Sequence, residues 1–262
     1  MSEAEFDFVP GRSALLISFP HSGVTIPDGI RARLTPAALA VPDTDWHVPR
    51  LYDSCAEFGA SLLIARNSRY VVDLNRPPDG APLYPGKTET GLCPTRTFAG
   101  EPVYRPGEEP AADEIRARIQ DHWNPYHARL AEAIDTIRTQ QGYCILWDAH
   151  SIRSEVPAFF EGRLPDLNVG TADGASSSRL LTDKVMQTLA SQSRFTSILN
   201  GRFKGGYITR RYGDPARGIN AVQLEIAQRA YMDESAPTTF DPAIASGLKS
   251  LLHSLLADVL RA

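Results

Sequence analysis

The sequence predicts an α/β fold: a mostly parallel, mixed central sheet between two helical layers, built as a single domain over residues 1–262. Three observations carry this. Apolar β-prone runs alternate with amphipathic helical stretches along the chain, the pattern of βαβ construction. The first of these runs, residues 14–19, is continuously apolar apart from one serine and reads as a buried strand. No linker, internal repeat or low-complexity segment divides the 262 residues, a length ample for one large core.

The elements follow in order. Pro20 ends the strand at 14–19. Residues 43–59 read as a helix capped by Asp43 or Thr44, with Leu51, Tyr52, Cys55 and Phe58 as its apolar stripe; Pro49 is tolerable only in its first turns. Residues 60–65 and 70–74 read as two more strands. Residues 75–109 are rich in Pro, Gly and Thr and lack periodicity. A loop this long inside a compact domain points to function. Its Leu83, Tyr84, Leu92, Phe98 and Tyr104 predict order, as a wall or lid packed over the site. Residues 111–141 form one long helix, kinked at Pro125 and capped by Gly142. Strands follow at 143–147 and 167–171, a helix at 177–192, and a short strand at 196–200. A strand-like run at 205–209 leads into a loop. Residues 221–226 are the last strong strand, and 241–262 a closing amphipathic helix.

Bulk composition excludes several classes. Hydrophobic content of 42% and charged content of 22% are those of an ordinary soluble domain. A net charge of −4 gives no support for nucleic-acid or membrane binding. No apolar run is long enough for a transmembrane helix, and the acidic start, Met1 to Asp7, is not a secretory signal. Three scattered cysteines without a CxxC predict no disulfide framework and a reducing cytoplasm. GxGxxG, P-loop and GxSxG patterns are absent.

Chemistry is expected at strand ends. His21 and His150 each follow a predicted core strand; the other four histidines read as surface, packing or outer-layer residues. Two imidazoles and one carboxylate make a hydrolytic metal site. Asp43 and Asp45 both offer that carboxylate, and one of them is expected to cap the helix instead. Glu225, amid apolar residues at a strand end, is the best general-base candidate, with Glu161 a weaker competitor. Arg76, Arg153, Lys204, Arg210 and Arg211 lie near strand exits, where guanidinium groups would bind substrate carboxylates.

Several short motifs, in this order, carry a family resemblance. They are Ser18-Phe19-Pro20-His21-Ser22-Gly23, Asp43-Thr44-Asp45-Trp46, Asp73-Leu74-Asn75-Arg76, Leu83-Tyr84-Pro85-Gly86, Asp148-Ala149-His150-Ser151-Ile152-Arg153, Phe160-Glu161-Gly162, Asn168-Val169-Gly170-Thr171, Asn200 to Gly206, and Gln223-Leu224-Glu225. From about residue 12 onward the chain resembles the N-formylglutamate amidohydrolases, or deformylases, of histidine degradation. That resemblance implies a three-layer α/β/α fold of the phosphorylase/hydrolase-like, zinc exopeptidase-like kind. It implies one divalent ion, Zn²⁺ first and Co²⁺, Mn²⁺ or Fe²⁺ as alternatives, on His21, Asp45 and His150, with Glu225 as the base. The implied substrate is a small dicarboxylate, N-formyl-L-glutamate, clamped by Arg76, Arg153, Lys204 and Arg210 with Asn75 as a hydrogen-bond partner. Two other readings stay open: a metal-dependent amidase for another N-acyl amino acid or a peptidoglycan fragment, and a non-catalytic dicarboxylate-binding protein. Oligomeric state is not legible.

Overall fold

The structure, a computed structural model, describes residues 5–83, 86 and 88–261. Tyr84 and Pro85, read above as part of the ordered loop, lie outside the described residues. Seven strands form one sheet: β1 (Phe6–Val9), β2 (Leu15–Phe19), β3 (Ser61–Ala65), β4 (Cys144–Ile152), β5 (Leu167–Gly170), β6 (Ser197–Leu199) and β7 (Ile219–Ala227), in the spatial order β1-β3-β2-β4-β7-β5-β6. The centre is parallel: β3 with β2, β2 with β4, and β4 with β7. Antiparallel pairings lie further out, β1 on β3 and β5 on β7. The expected mixed, mostly parallel α/β sheet is therefore present.

Alternation along the strands splits the core in two. Leu15, Ile17, Phe19, Trp147, Val222 and Leu224 face one layer. That layer holds α6 (Arg179–Ala190) and α8 (Pro242–Val259), together with α3 (Val48–Leu51). Leu16, Leu146, Ile219 and Ala221 face the other, where Tyr126, Leu130, Ile134 and Ile137 of α5 (Asn124–Gln141) pack on them. Short α1 (Asp28–Arg31) and α2 (Pro36–Leu39) bury Ile30 and Ala38 in a small satellite core, with Leu34 between them.

Several elements differ from expectation. The helix at 43–59 is reduced to α3 and a 3₁₀ stretch, Asp53–Phe58. Pro49 lacks an N–H and sits in the first turn, so the helix starts at Val48, after His47 in a left-handed turn (φ 60°). Residues 70–74 form turns, not a strand. An Asx turn from Asp73 to Asn75 N–H (2.9 Å) and the Val71 N–H bond to Ser68 fold the chain there. Residues 207–212 form helix α7 (Tyr207–Tyr212) in place of a strand-like run, because the Asn75 side chain accepts the Ile208 N–H and satisfies its first turn. The long helix is interrupted ahead of Pro125. A π-turn, Ile119–Trp123, joins α4 (Ala112–Arg118) to α5 just ahead of the proline. β4 runs on to Ile152, so His150 sits within its last residues rather than after it.

Candidate metal and hydrolase site

Parallel β2, β4 and β7 end on the same side of the sheet, and their ends assemble the site. His21 follows β2 by two residues. The backbone N–H of Asp45 donates to the His21 carbonyl (3.0 Å), which draws the 43–47 segment across the strand ends. His150 and Glu225 are direct register partners on β4 and β7, and Asp148 and Gln223 are partners two residues earlier. Residues two apart share a face, so all four project to one side.

Among the described residues, one group is placed to share an ion. The donor atoms of His21, Asp45 and His150 lie within 4.8 Å of one another, and all three residues are buried. Each imidazole is backed by a carboxylate: His21 Nε2–H donates to Asp73 at 2.7 Å, and His150 Nε2–H to Asp148 at 3.0 Å. Nδ1 of both rings faces Asp45 Oδ2, at 3.9 Å and 3.0 Å; on His150 that nitrogen carries a proton hydrogen-bonded to Asp45, which a bound cation would displace. Carboxylate-backed histidines are the usual surroundings of a bound cation. Burial, reinforced by the Arg69 guanidinium, lowers the His21 pKa, so its ring is neutral, as a metal ligand must be. For His150 burial acts downward too, but Asp148 and Asp45 outweigh it and raise the pKa well above the ordinary value. The locus attracts positive charge in this structure already: Arg69 Nη2 lies 2.8 Å from His21 Nδ1. The donor set therefore fits a divalent ion.

Asp43, the competing third carboxylate, is committed elsewhere. Its Oδ2 accepts from Tyr70 O–H (2.7 Å) and Phe98 N–H (2.9 Å), which anchors the long loop. Glu225 is 7% exposed, and burial pushes its carboxyl up to about 7, with Asp45 adding to the rise. Such a group sits where a general acid–base needs to be at neutral pH.

A cleft of about 570 Å³ opens over these groups. Arg69, Asn75, Arg76, Phe98, Phe159 and Arg202 are among its walls. Of the predicted substrate residues, Asn75 and Arg76 line it. Arg153, Lys204 and Arg210 are not among its described walls. Arg153 is exposed, Lys204 pairs with Asp173 (3.0 Å), and Arg210 Nε donates to the Gly205 carbonyl. The Asn75 amide donates to Asp148 Oδ2 (3.4 Å), beside His150. Glu161 is absent from the described walls too.

Sequence reasoning passed over Arg69, Asp73, Asp148, Arg202 and Gln223. For Asp148 a signal existed: it precedes His150 by two on one strand, hence on one face.

Fold and constellation define the class, a hydrolase built on a mixed α/β sheet. The profile of the N-formylglutamate amidohydrolase family matches residues 13–232. An N-formylglutamate deformylase of Pseudomonas putida is 48% identical over 254 residues, 95% of each chain. One from Pseudomonas aeruginosa is 48% identical over 253 residues, 97% of this chain and 95% of the relative. The crystal structure of an N-formylglutamate amidohydrolase from Ralstonia eutropha superposes with a TM-score of 0.81 at 25% identity, over 98% of this chain and 96% of that one. A gene product of Agrobacterium tumefaciens shares the fold (TM-score 0.69, 23% identity, 97% and 95% covered).

The chain belongs to the N-formylglutamate amidohydrolase family and is a hydrolase of amide bonds. The alternative of a non-catalytic binding protein falls with that membership. No described helix is long and apolar enough to cross a membrane.

Proposed function

We propose that this protein hydrolyses N-formyl-L-glutamate to formate and L-glutamate with one divalent ion, Zn²⁺ in first place, in the cytoplasm as part of histidine degradation. The observation that carries the metal is the pair of carboxylate-backed imidazoles turned toward Asp45. The activity for which the relatives are named supplies the substrate.

His21 Nδ1, His150 Nδ1 and Asp45 Oδ2 would hold the ion. When bound, it supplies Lewis acidity toward the formyl oxygen and toward water. Glu225 takes a proton from the attacking water and returns it to the departing amine nitrogen. Its raised pKa suits both directions of that transfer. Three arginines (Arg69, Arg76 and Arg202) and three carboxylates (Asp45, Glu89 and Glu225) line the cleft. Arg76 and Arg202, nearer the loop segments at 88–90, are the cations we assign to the substrate carboxylates.

Formate release from N-formyl-L-glutamate by the metal-loaded protein tests the reading, with a chelated control and Glu225→Gln beside it. We expect turnover that chelation abolishes and that Glu225→Gln lowers at least 100-fold, within the range for a lost acid–base group. No formate from the loaded wild type sinks the substrate. Full turnover by Glu225→Gln sinks the base.

A further inference from the structure

One backbone turn, at the start of α7, fixes two buried amides beside the proposed base. Gly206 N–H donates to Gln223 Oε1 at 2.6 Å, and Ile208 N–H donates to Asn75 Oδ1 at 2.8 Å. With its carbonyl oxygen taken, each amide must turn its NH₂ inward. Asn75 Nδ2 then lies 3.4 Å from Asp148 Oδ2 and 3.0 Å from His150 Nε2. Gln223 Nε2 donates to Glu225 Oε2 at 3.2 Å.

The turn reaches this far in because residue 206 has no side chain. A Cβ there would fall 2.3 Å from Asn75 Nδ2. Gln223 is 3% exposed. A buried amide in a sheet centre is costly unless both its ends are paired. Here one end is paired to the turn and the other to Glu225. Glu225 has no other side-chain hydrogen bond among the described residues, and it lines the cleft.

We propose that Gln223 is the positioning residue for Glu225. Its amide, oriented by the Gly206 N–H, holds Oε2 and so aims Oε1 at the water and the leaving nitrogen. This rests on the reading of Glu225 as the base. A side chain that merely filled space would need no amide; Gln223 also lines the cleft, so the kinetics below separate positioning from substrate contact.

Steady-state kinetics of the metal-loaded enzyme on N-formyl-L-glutamate test the proposal, with Gln223→Glu and Gln223→Met. Gln223→Glu keeps an acceptor for the Gly206 N–H but replaces the amide donor with a carboxyl that must share a proton with Glu225, so it also moves the acid limb of the kcat–pH profile upward; Gln223→Met removes both ends of the amide. Each is expected to lower kcat about 10- to 100-fold, the usual cost of losing a group that orients a catalytic side chain. KM should stay within about two-fold and bound metal should match the wild type, since neither ground-state binding nor the ion is touched. Unchanged kcat overturns the proposal. So does a raised KM at constant kcat, which would make Gln223 a substrate contact, or a loss of metal in proportion to activity. Where Gln223→Met does not fold, Gln223→Glu decides alone. Failure of the underlying reading looks different: the wild type releases no formate, or Glu225→Gln turns over at full rate.

Discussion

The cleft has two halves of different construction. Its floor stands on β2, β4 and β7, and each ionisable group there is tied to another side chain: His21 to Asp73, His150 to Asp148 and Asp45, Glu225 to Gln223. Its far wall stands on loops. Arg76 bonds to the carbonyl and hydroxyl of Thr90, and Arg202 to the carbonyls of Phe159 and Thr88. The floor is held side chain to side chain and buried; the wall is held mainly side chain to backbone and is half-buried. On the proposed reading, chemistry that tolerates little displacement is built on the sheet, while recognition is built where loops can be exchanged.

The largest effect that separates the halves should come from the floor. Asp148→Asn keeps the shape but weakens the hold on His150. It should cost about 10- to 100-fold in metal affinity or turnover, read as metal retained through gel filtration and as formate released. Arg202→Gln acts on the wall. The loss of one charge-assisted bond should raise KM for N-formyl-L-glutamate about ten-fold with kcat nearly constant, and leave N-formyl-leucine turnover unchanged. A fall in kcat for both substrates would erase the distinction between the halves.

The smallest effect is a matter of stability. His127 props the floor from below: its Nε2–H donates to the Leu74 carbonyl (2.8 Å), between Asp73 and Asn75, and its ring stacks on Trp123. Burial lowers its pKa from 6.5 to about 4. An unfolded chain therefore takes up this proton near pH 6.5, whereas the folded one resists until about pH 4. Native stability falls as pH drops through that window, by up to about 3 kcal/mol from this residue, and levels off below it. Urea unfolding between pH 7.5 and 4 should show a shallower acid loss in His127→Gln. An identical slope would remove His127 from the account.

Much of the fold was legible because its strands are long apolar runs flanked by breakers. His21 and His150 stood out for the same reason. What was misread turned on contacts distant in sequence. The Tyr70–Leu74 stretch carries strand-prone residues, yet Asp73 N–H bonds to Leu92 and the chain turns. That turn hands Asp73 to His21, so the carboxylate behind the first ligand was hidden. Tyr207, Ile208 and Thr209 favour strands, but the Asn75 side chain starts a helix there. Arg153 was chosen for its nearness to His150. β4 ends at Ile152, so Arg153 has already left the strand and its side chain is exposed. Arg202 lacked any periodic signal because a loop places it.

The register of β4 against β7 carries a further meaning. His150 and Glu225 are neighbours across one rung of a parallel ladder. The separation between the proposed ligand of the ion and the proposed proton carrier is thus a dimension of the peptide backbone, about 4.8 Å between strands. Side-chain packing can drift across the rest of the chain without altering it. A shift of one residue between the strands, by contrast, would turn one of the two groups to the other face and leave the pair apart. The catalytic gauge of this enzyme is cut into its hydrogen-bond ladder.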